Sequence, residues 1–378
     1  MRCYICHQEI TENDVHSHYK RMCKSCGDYN LKKRNKLINL NGYKALVTGG
    51  RIKIGYETAL KLLRSGAFVV VTTRFPVDAV QRYSKEIDFS DWCKRLRIYQ
   101  IDFRQIYSLF ELIYYIKEEC DFLDILINNA AQTVRHGYSY YEDLFLKERE
   151  NIGKLSSEQK SIIIWSHGNK EFNRLQQSLD LLLPIMPMKL KEGHSINEIE
   201  KYYSNELTKD YLKKISAYRN SWTCKACDVS LIEMLEVQLV NVTTPFFLCT
   251  SVRSLMQASP HLNKYIVNVS AMEGKFYKAN KNCFHPHTNM AKASLNMLTR
   301  TSAQDFATDG ILMNSVDTGW ITDENPIWIR ERNEKKGLIP PLDEKDGASR
   351  LCDPIFSSIE LGYHEYGSFL KDYKRTEW

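Results

Sequence analysis

Four cysteines near the start of the chain have the spacing of a metal site. Cys3-x2-Cys6 is followed, after sixteen intervening residues, by Cys23-x2-Cys26. Each pair puts two thiolates on one tight turn, and two pairs complete the four-ligand set of a tetrahedral zinc ion. Four protein ligands leave no open position for a substrate, so the role expected is structural. A segment this short cannot fold on buried surface alone, so metal binding is expected to supply its folding energy. His16 and His18 lie between the pairs as substitute ligands. The basic run Lys32-Lys33-Arg34-Asn35-Lys36 reads as a solvated linker, with nucleic-acid contact as the other reading. Cys224-x2-Cys227 stands without a second pair and reads as incidental, against redox or metal binding.

A second constellation suits a dinucleotide. Ala45-Leu46-Val47-Thr48-Gly49-Gly50-Arg51-Ile52-Lys53-Ile54-Gly55 reads as strand, glycine turn and helix start. That arrangement presents backbone N–H groups to a pyrophosphate. The second strand ends at Val70-Val71-Thr72-Thr73-Arg74. It lacks the acidic residue that would hold the ribose hydroxyls of NAD(H). Arg74, with Arg51 and Lys53 close by in the turn, suits a phosphate instead, so NADP(H) is expected over NAD(H).

These segments resemble the short-chain dehydrogenase/reductase family, whose turn reads Thr-Gly-x3-Gly-x-Gly. Thr48, Gly49 and Gly55 match, and Lys53 takes the place of the middle glycine. Ile101-Asp102-Phe103, Ile127-Asn128-Asn129-Ala130-Ala131 and Asn314-Ser315-Val316-Asp317-Thr318-Gly319-Trp320-Ile321-Thr322 follow in family order, with Thr318 where a proline is usual. The resemblance covers about residues 42–133 and 229–325. It implies hydride transfer between a nicotinamide and a carbonyl or alcohol. It also implies cofactor contacts from Thr48, Gly49, Arg51, Lys53, Ile54, Gly55, Arg74, Asp102, Asn129, Ala130, Lys292, Thr318, Gly319, Ile321 and Thr322.

The family's tetrad of Asn, Ser, Tyr and Lys is only half present. Asn241 matches the asparagine and Lys292 the lysine. Thr288 stands where the tyrosine should, four residues before Lys292 and on the same helical face. Ala271 falls at the serine, with Ser270 one place earlier. A threonine hydroxyl is too weakly acidic to replace the phenol near neutral pH. The stretch His285-Pro286-His287 offers replacement donors, because histidine titrates near neutrality. Backbone-bonded loop histidines are the equal alternative. Tyr277 is read as core, with a swing into the site as the minor alternative. The pattern is similar to a divergent branch of the family found in zinc-finger-fused oxidoreductase-like proteins, and Phe369-Leu370-Lys371-Asp372-Tyr373 and Trp378 fit it too.

The elements that must position these residues alternate in the βαβ manner. Strands are expected at Tyr43–Thr48, Ala67–Thr73, Arg97–Ile101, Leu123–Asn128, Lys264–Val269, Ile311–Asp317 and Gly367–Leu370. Helices are expected at Ile54–Arg64, Ile106–Glu119, Leu231–Met256, Thr288–Ala307 and Glu344–Glu360. The fold class is α/β, a Rossmann-type doubly wound parallel sheet over 41–378. A zinc-binding module of residues 1–40 precedes it. A partly helical insertion without strong strands interrupts it at about 133–229, with helical patterns near 170–183 and 196–216.

The chain has 378 residues and a net charge of +6, which by itself argues for neither nucleic acid nor membrane and leaves nucleic acid open. No apolar run approaches the roughly 18 residues of a membrane span. The start shows no secretory signal, so a cytoplasmic protein with reduced thiols is expected. Two functions fit: an NADP(H)-dependent oxidoreductase with a non-standard proton donor, or a catalytically lapsed NADP(H)-binding sensor or scaffold whose zinc module docks a protein partner. The oligomeric state stays open: the resemblance implies pairing through the helices carrying Asn241 and Lys292, into a homodimer or homotetramer, and the alternative is that the insertion covers that surface. The small-molecule substrate is set by loops and the insertion, and motifs do not name it.

Overall fold

A computed structural model describes residues 1–135, 138–166, 220–277 and 281–378. The helical patterns near 170–183 and 196–216 lie outside the described residues. Nine strands form one sheet: β1 (Lys44–Val47), β2 (Phe68–Thr73), β3 (Leu96–Gln100), β4 (Ile125–Asn128), β5 (Ile163–Ile164), β6 (Lys264–Ser270), β7 (Ile311–Asp317), β8 (Phe369–Lys371) and β9 (Lys374–Thr376). Their order is β5-β3-β2-β1-β4-β6-β7-β8-β9, and every pairing is parallel except β8 with β9. All seven expected strands appear within two residues of their expected ends.

The apolar runs that make these strands are buried on both faces, as a parallel sheet covered by helices requires. On one face Leu62, Leu63, Val80, Trp92, Ile355 and Phe356 pack together. On the other, Leu109, Leu112, Leu248, Met256, Phe306 and Met313 form a second core. The chain runs outward from β1 to β2 and β3, then crosses back to β4 and outward to β6 and β7. A reversal of that kind opens a crevice at the carboxyl ends of β1 and β4.

Three expectations change. The insertion, read as lacking strands, opens with a helix Tyr138–Ile152 and a helix Ser157–Ile162 that leads into β5. Ile163 and Ile164 pair with Ile98 and Tyr99, extending the sheet at its β3 edge. A two-residue strand is too short to show a period in sequence. The continuous helix expected at Leu231–Met256 is a series: Leu231–Gln238, a π-helical turn Leu239–Thr243, then Thr244–Ser251 and Arg253–Gln257. By length and composition Leu231–Ser251 could cross a membrane. It nonetheless carries Glu233 and Glu236, which accept hydrogen bonds from the Arg135 backbone and the Gln132 amide, and it packs Val240, Leu248 and Cys249 into the second core.

The third change concerns the basic run. It is no linker but the end of a helix, Lys24–Asn35, that docks on the helix Glu344–Leu361. Arg34 binds Asp343 bidentately at 2.5 and 2.7 Å and lies 3.0 Å from Asp346. Lys33 pairs with Asp353, and Lys36 with Glu360 at 2.5 Å. Arg350, buried, donates to Asn30 at 2.8 Å. This helix buries only Gly27 and Asn30, so it shows no apolar stripe by which sequence could announce it.

Candidate cofactor cleft and zinc centre

The four N-terminal cysteines converge, with all four sulfurs within 4.8 Å of one another. A zinc–sulfur bond of about 2.3 Å in a tetrahedron puts sulfurs ~3.8 Å apart. Cys6 and Cys23 meet that spacing at 3.9 Å. Among the described residues no other group of three or more His, Cys, Asp or Glu comes so close. Burial pushes the Cys3 thiol up, but N–H donors from Cys23, Cys6 and Ile5 outweigh it and bring the thiol to about 7. Burial first, and crowding by the other sulfurs after it, drive the Cys26 thiol far upward, and that crowding is what a cation would relieve. His16 and His18 are not substitute ligands. His16 Nδ1 accepts from the backbone of His18 and Tyr19, both at 3.1 Å, and its Nε2 lies 3.3 Å from Asp28. His18 packs edge-on against Tyr19. Cys224 is likewise outside any cluster, donating to the Asn220 carbonyl, while Cys227 is exposed.

A cleft of about 980 Å³ opens at the carboxyl ends of the strands. Its floor is the turn from Gly49 to Gly55. Gly49 has φ +72°, and a Cβ there would stand 3.0 Å from Ala130. A Cβ on Gly55 would meet the Gly49 carbonyl at 2.3 Å, so glycine is what lets the helix start this close to the strand. Lys53 adopts the left-handed conformation, φ +55°, at the position where the family's glycine would sit without strain. The helix Lys53–Arg64 has no side-chain cap and no acidic residue in its first turn, which leaves its N-terminal N–H groups available to an anion.

Of the expected cofactor residues, all except Thr48 line this cleft. Thr48 holds the turn from behind. Its hydroxyl accepts from Asn129 N–H and Ala130 N–H at 2.9 Å each, and the Asn129 amide bonds the Thr48 carbonyl at 2.9 Å. Arg51 is engaged with Asp78 at 2.8 Å, and Lys53 lies 3.7 Å from Glu324. Arg74 is different: its guanidinium lies 4.5 Å from the ring centroid of Tyr141. Asp102 binds Arg104 at 2.6 Å; burial alone would raise its carboxyl, and Arg104 holds it below the usual range. The turn and the open helix end therefore fit a dinucleotide, and Arg74 lines the same cleft just past the end of β2.

The chemistry half is sparser. Lys292 lines the cleft and donates to the Val269 carbonyl at 2.7 Å, and burial lowers its ammonium to about 8. Thr288, one helical turn earlier, also lines the cleft, and its buried hydroxyl has no hydrogen-bond partner among the described residues. Ser270 lines the cleft but donates to Asn296 at 2.6 Å. Asn241 does not line it. Within the π-helical turn, Asn241 accepts from Gln132 N–H at 2.7 Å and donates to the Gln132 carbonyl at 2.9 Å. It clamps the segment after β4.

The two histidines expected as proton donors do not reach the cleft. His285 stacks on Trp222 at 3.9 Å, with its Nδ1 2.8 Å from the Trp222 carbonyl oxygen, so the cleft sees the tryptophan instead. His287 is buried 3.9 Å from Glu233, and burial lowers its pKa. Tyr277 is 92% exposed, not core. Sequence reading missed Tyr4, Arg104, Tyr141, Trp222 and Lys371, all of which line the cleft. Arg104 carried a signal, standing two residues past Asp102 with opposite charge. The others arrive from distant segments that no local spacing connects.

Comparison with known proteins agrees with this geometry. The short chain dehydrogenase model matches residues 43–148, and the Enoyl-(Acyl carrier protein) reductase model matches residues 154–334. An uncharacterized protein of Acanthamoeba polyphaga mimivirus is 33% identical over 366 residues, covering 94% of this chain and 71% of that protein. A (+)-neomenthol dehydrogenase of Capsicum annuum is 39% identical over 90 residues, 23% of this chain and 28% of that enzyme. Among solved structures, an NADP active-site complex of Pseudomonas aeruginosa RhlG has a TM-score of 0.53 at 16% identity, covering 88% of this chain and 95% of that one. A short chain dehydrogenase of Burkholderia cenocepacia in complex with NADP has a TM-score of 0.53 at 17% identity, covering 88% of this chain and 97% of that one. By fold, by the order of its motifs and by the two matched models, the chain belongs to the short-chain dehydrogenase/reductase family.

Proposed function

We propose that the protein is an NADP(H)-dependent oxidoreductase acting on a carbonyl or alcohol, with Lys292 as its proton donor. The observation that carries this reading is the pair Lys292 and Thr288, which face the same cleft as the glycine turn and Arg74. Arg74 holds the ribose phosphate, and the N–H groups of residues 53–55 hold the pyrophosphate. Bound NADPH supplies a hydride. Thr288, whose hydroxyl has no partner among the described residues, borders the substrate oxygen. The Lys292 ammonium gives that oxygen its proton as the carbonyl carbon is reduced, becoming a neutral amine that water then reprotonates. An ammonium brought down to about 8 is a far better acid near neutral pH than an ordinary lysine, and it replaces the missing phenol.

A second reading, an NADP(H)-binding sensor without turnover, is favoured by the loss of Ser270 to Asn296 and of both histidines to the protein interior. Single-turnover oxidation of NADPH against a panel of aldehydes and ketones separates the two. The oxidoreductase reading expects turnover, reduced about 10²–10⁴-fold in Lys292→Ala. No NADPH consumption with any carbonyl, despite tight binding, favours the sensor.

A further inference from the structure

The zinc module does not stand apart from the cleft. Tyr4, between the first two cysteines, is one of the residues that line it. Its hydroxyl accepts from Trp320 N–H at 2.9 Å, in the loop that follows β7. Ile321 of the same loop packs into the module's small core with Met22, Tyr19 and Leu342, and Arg21 lies over the Trp320 ring at 5.6 Å. Ile54, in the first turn of the glycine-turn helix, touches that core from the opposite lip of the cleft. Gly319 sits close against this contact: a Cβ there would stand 2.5 Å from Leu342 of its own domain and 3.4 Å from the Tyr4 hydroxyl of the module. One small body thus holds both lips of the cleft.

From this arrangement we infer that zinc binding and cofactor binding are thermodynamically linked through Tyr4. The module has a core of only six buried apolar residues, two of which, Ile321 and Leu342, come from the dehydrogenase domain. Without metal the module cannot hold Tyr4 in place. The loop then loses its hydrogen bond and its packing, and the cleft wall is no longer fixed in the shape that accepts the cofactor. Ordering that wall becomes a cost on binding, so affinity falls. Linkage is reciprocal: the cofactor, by fixing the loop, must tighten zinc binding by the same factor.

This inference rests on the cleft being the NADP(H) site. Its test uses the full-length zinc-loaded protein, with NADPH fluorescence for affinity and an absorbance indicator for released zinc. Removal of zinc by a chelator should weaken NADPH binding at least tenfold, restored by adding zinc back. Saturating NADPH should raise severalfold the concentration of competing chelator needed to strip half the zinc from the parent. Tyr4→Phe keeps the ring and all four cysteines, so the module retains zinc. It should lose about 2–10-fold in NADPH affinity, the worth of one hydrogen bond. It should also lose most of the cofactor's protection of zinc. Equal affinities with and without zinc, or unchanged protection in Tyr4→Phe, would overturn the linkage. If the zinc-loaded parent binds no NADPH at all, it is the cofactor assignment itself that fails.

Discussion

The two halves of the cleft depart from the family's pattern to different degrees. In the cofactor half, the glycine turn, Asp102, Asn129 and Ala130 stand where the family motif puts them, and the helix N-terminus is left uncapped. In the chemistry half, polar groups have been drawn away. Ser270 serves Asn296, Asn241 serves the backbone of Gln132, and His285 lies against Trp222. Lys292 and Thr288 remain at the cleft. In this chain the glycine-turn residues and the tetrad positions therefore depart from the family pattern independently of one another.

Breaking the cofactor half should change affinity and leave the chemical step alone. Arg74→Ala removes a charged hydrogen bond to phosphate worth about 1.5–3 kcal/mol, a loss of roughly 10–100-fold in NADPH affinity. NADH affinity should stay put, and so should the rate at saturating NADPH. Calorimetry with both cofactors checks this; equal losses for NADH and NADPH would mean that Arg74 braces the wall through Tyr141 and does not read the phosphate.

Within the turn itself a smaller effect is expected. Lys53 holds a left-handed backbone that glycine would accept freely. Lys53→Gly should stabilise the fold by about 1 kcal/mol in urea unfolding, the usual left-handed cost for a residue with a side chain. The pair lost with Glu324 is half-exposed and worth little against that. A destabilised variant would mean that Lys53 contributes something beyond its backbone.

Legibility in the sequence followed the same divide. β1, β2, β4, β6 and β7 are dense with Val, Ile and Leu between turn signals, and the cofactor motifs sit at their ends, so both could be read locally. The chemistry half could not. His285 and His287 look available in sequence, but their direction depends on Trp222 and Glu233, more than fifty residues away. The docking of the helix Lys24–Asn35 was invisible because it runs on ion pairs such as Arg34 with Asp343 and on buried Arg350 with Asn30, which show no apolar period. Tyr4 was hidden for the same reason, being a cleft residue delivered by a separate module.

On the proposed reading, Lys292 carries the proton. The most direct test is the pH dependence of single-turnover NADPH oxidation at saturating cofactor and carbonyl. The donor is the ammonium, and burial lowers it to about 8. Reduction should therefore proceed fully at pH values well below about 8 and decline as pH rises through it, falling about tenfold for each further pH unit. In Lys292→Ala that alkaline limb should disappear along with most of the rate. A rate that stays level from neutrality up to about pH 10, or one that falls identically in the parent and in Lys292→Ala, would contradict the assignment.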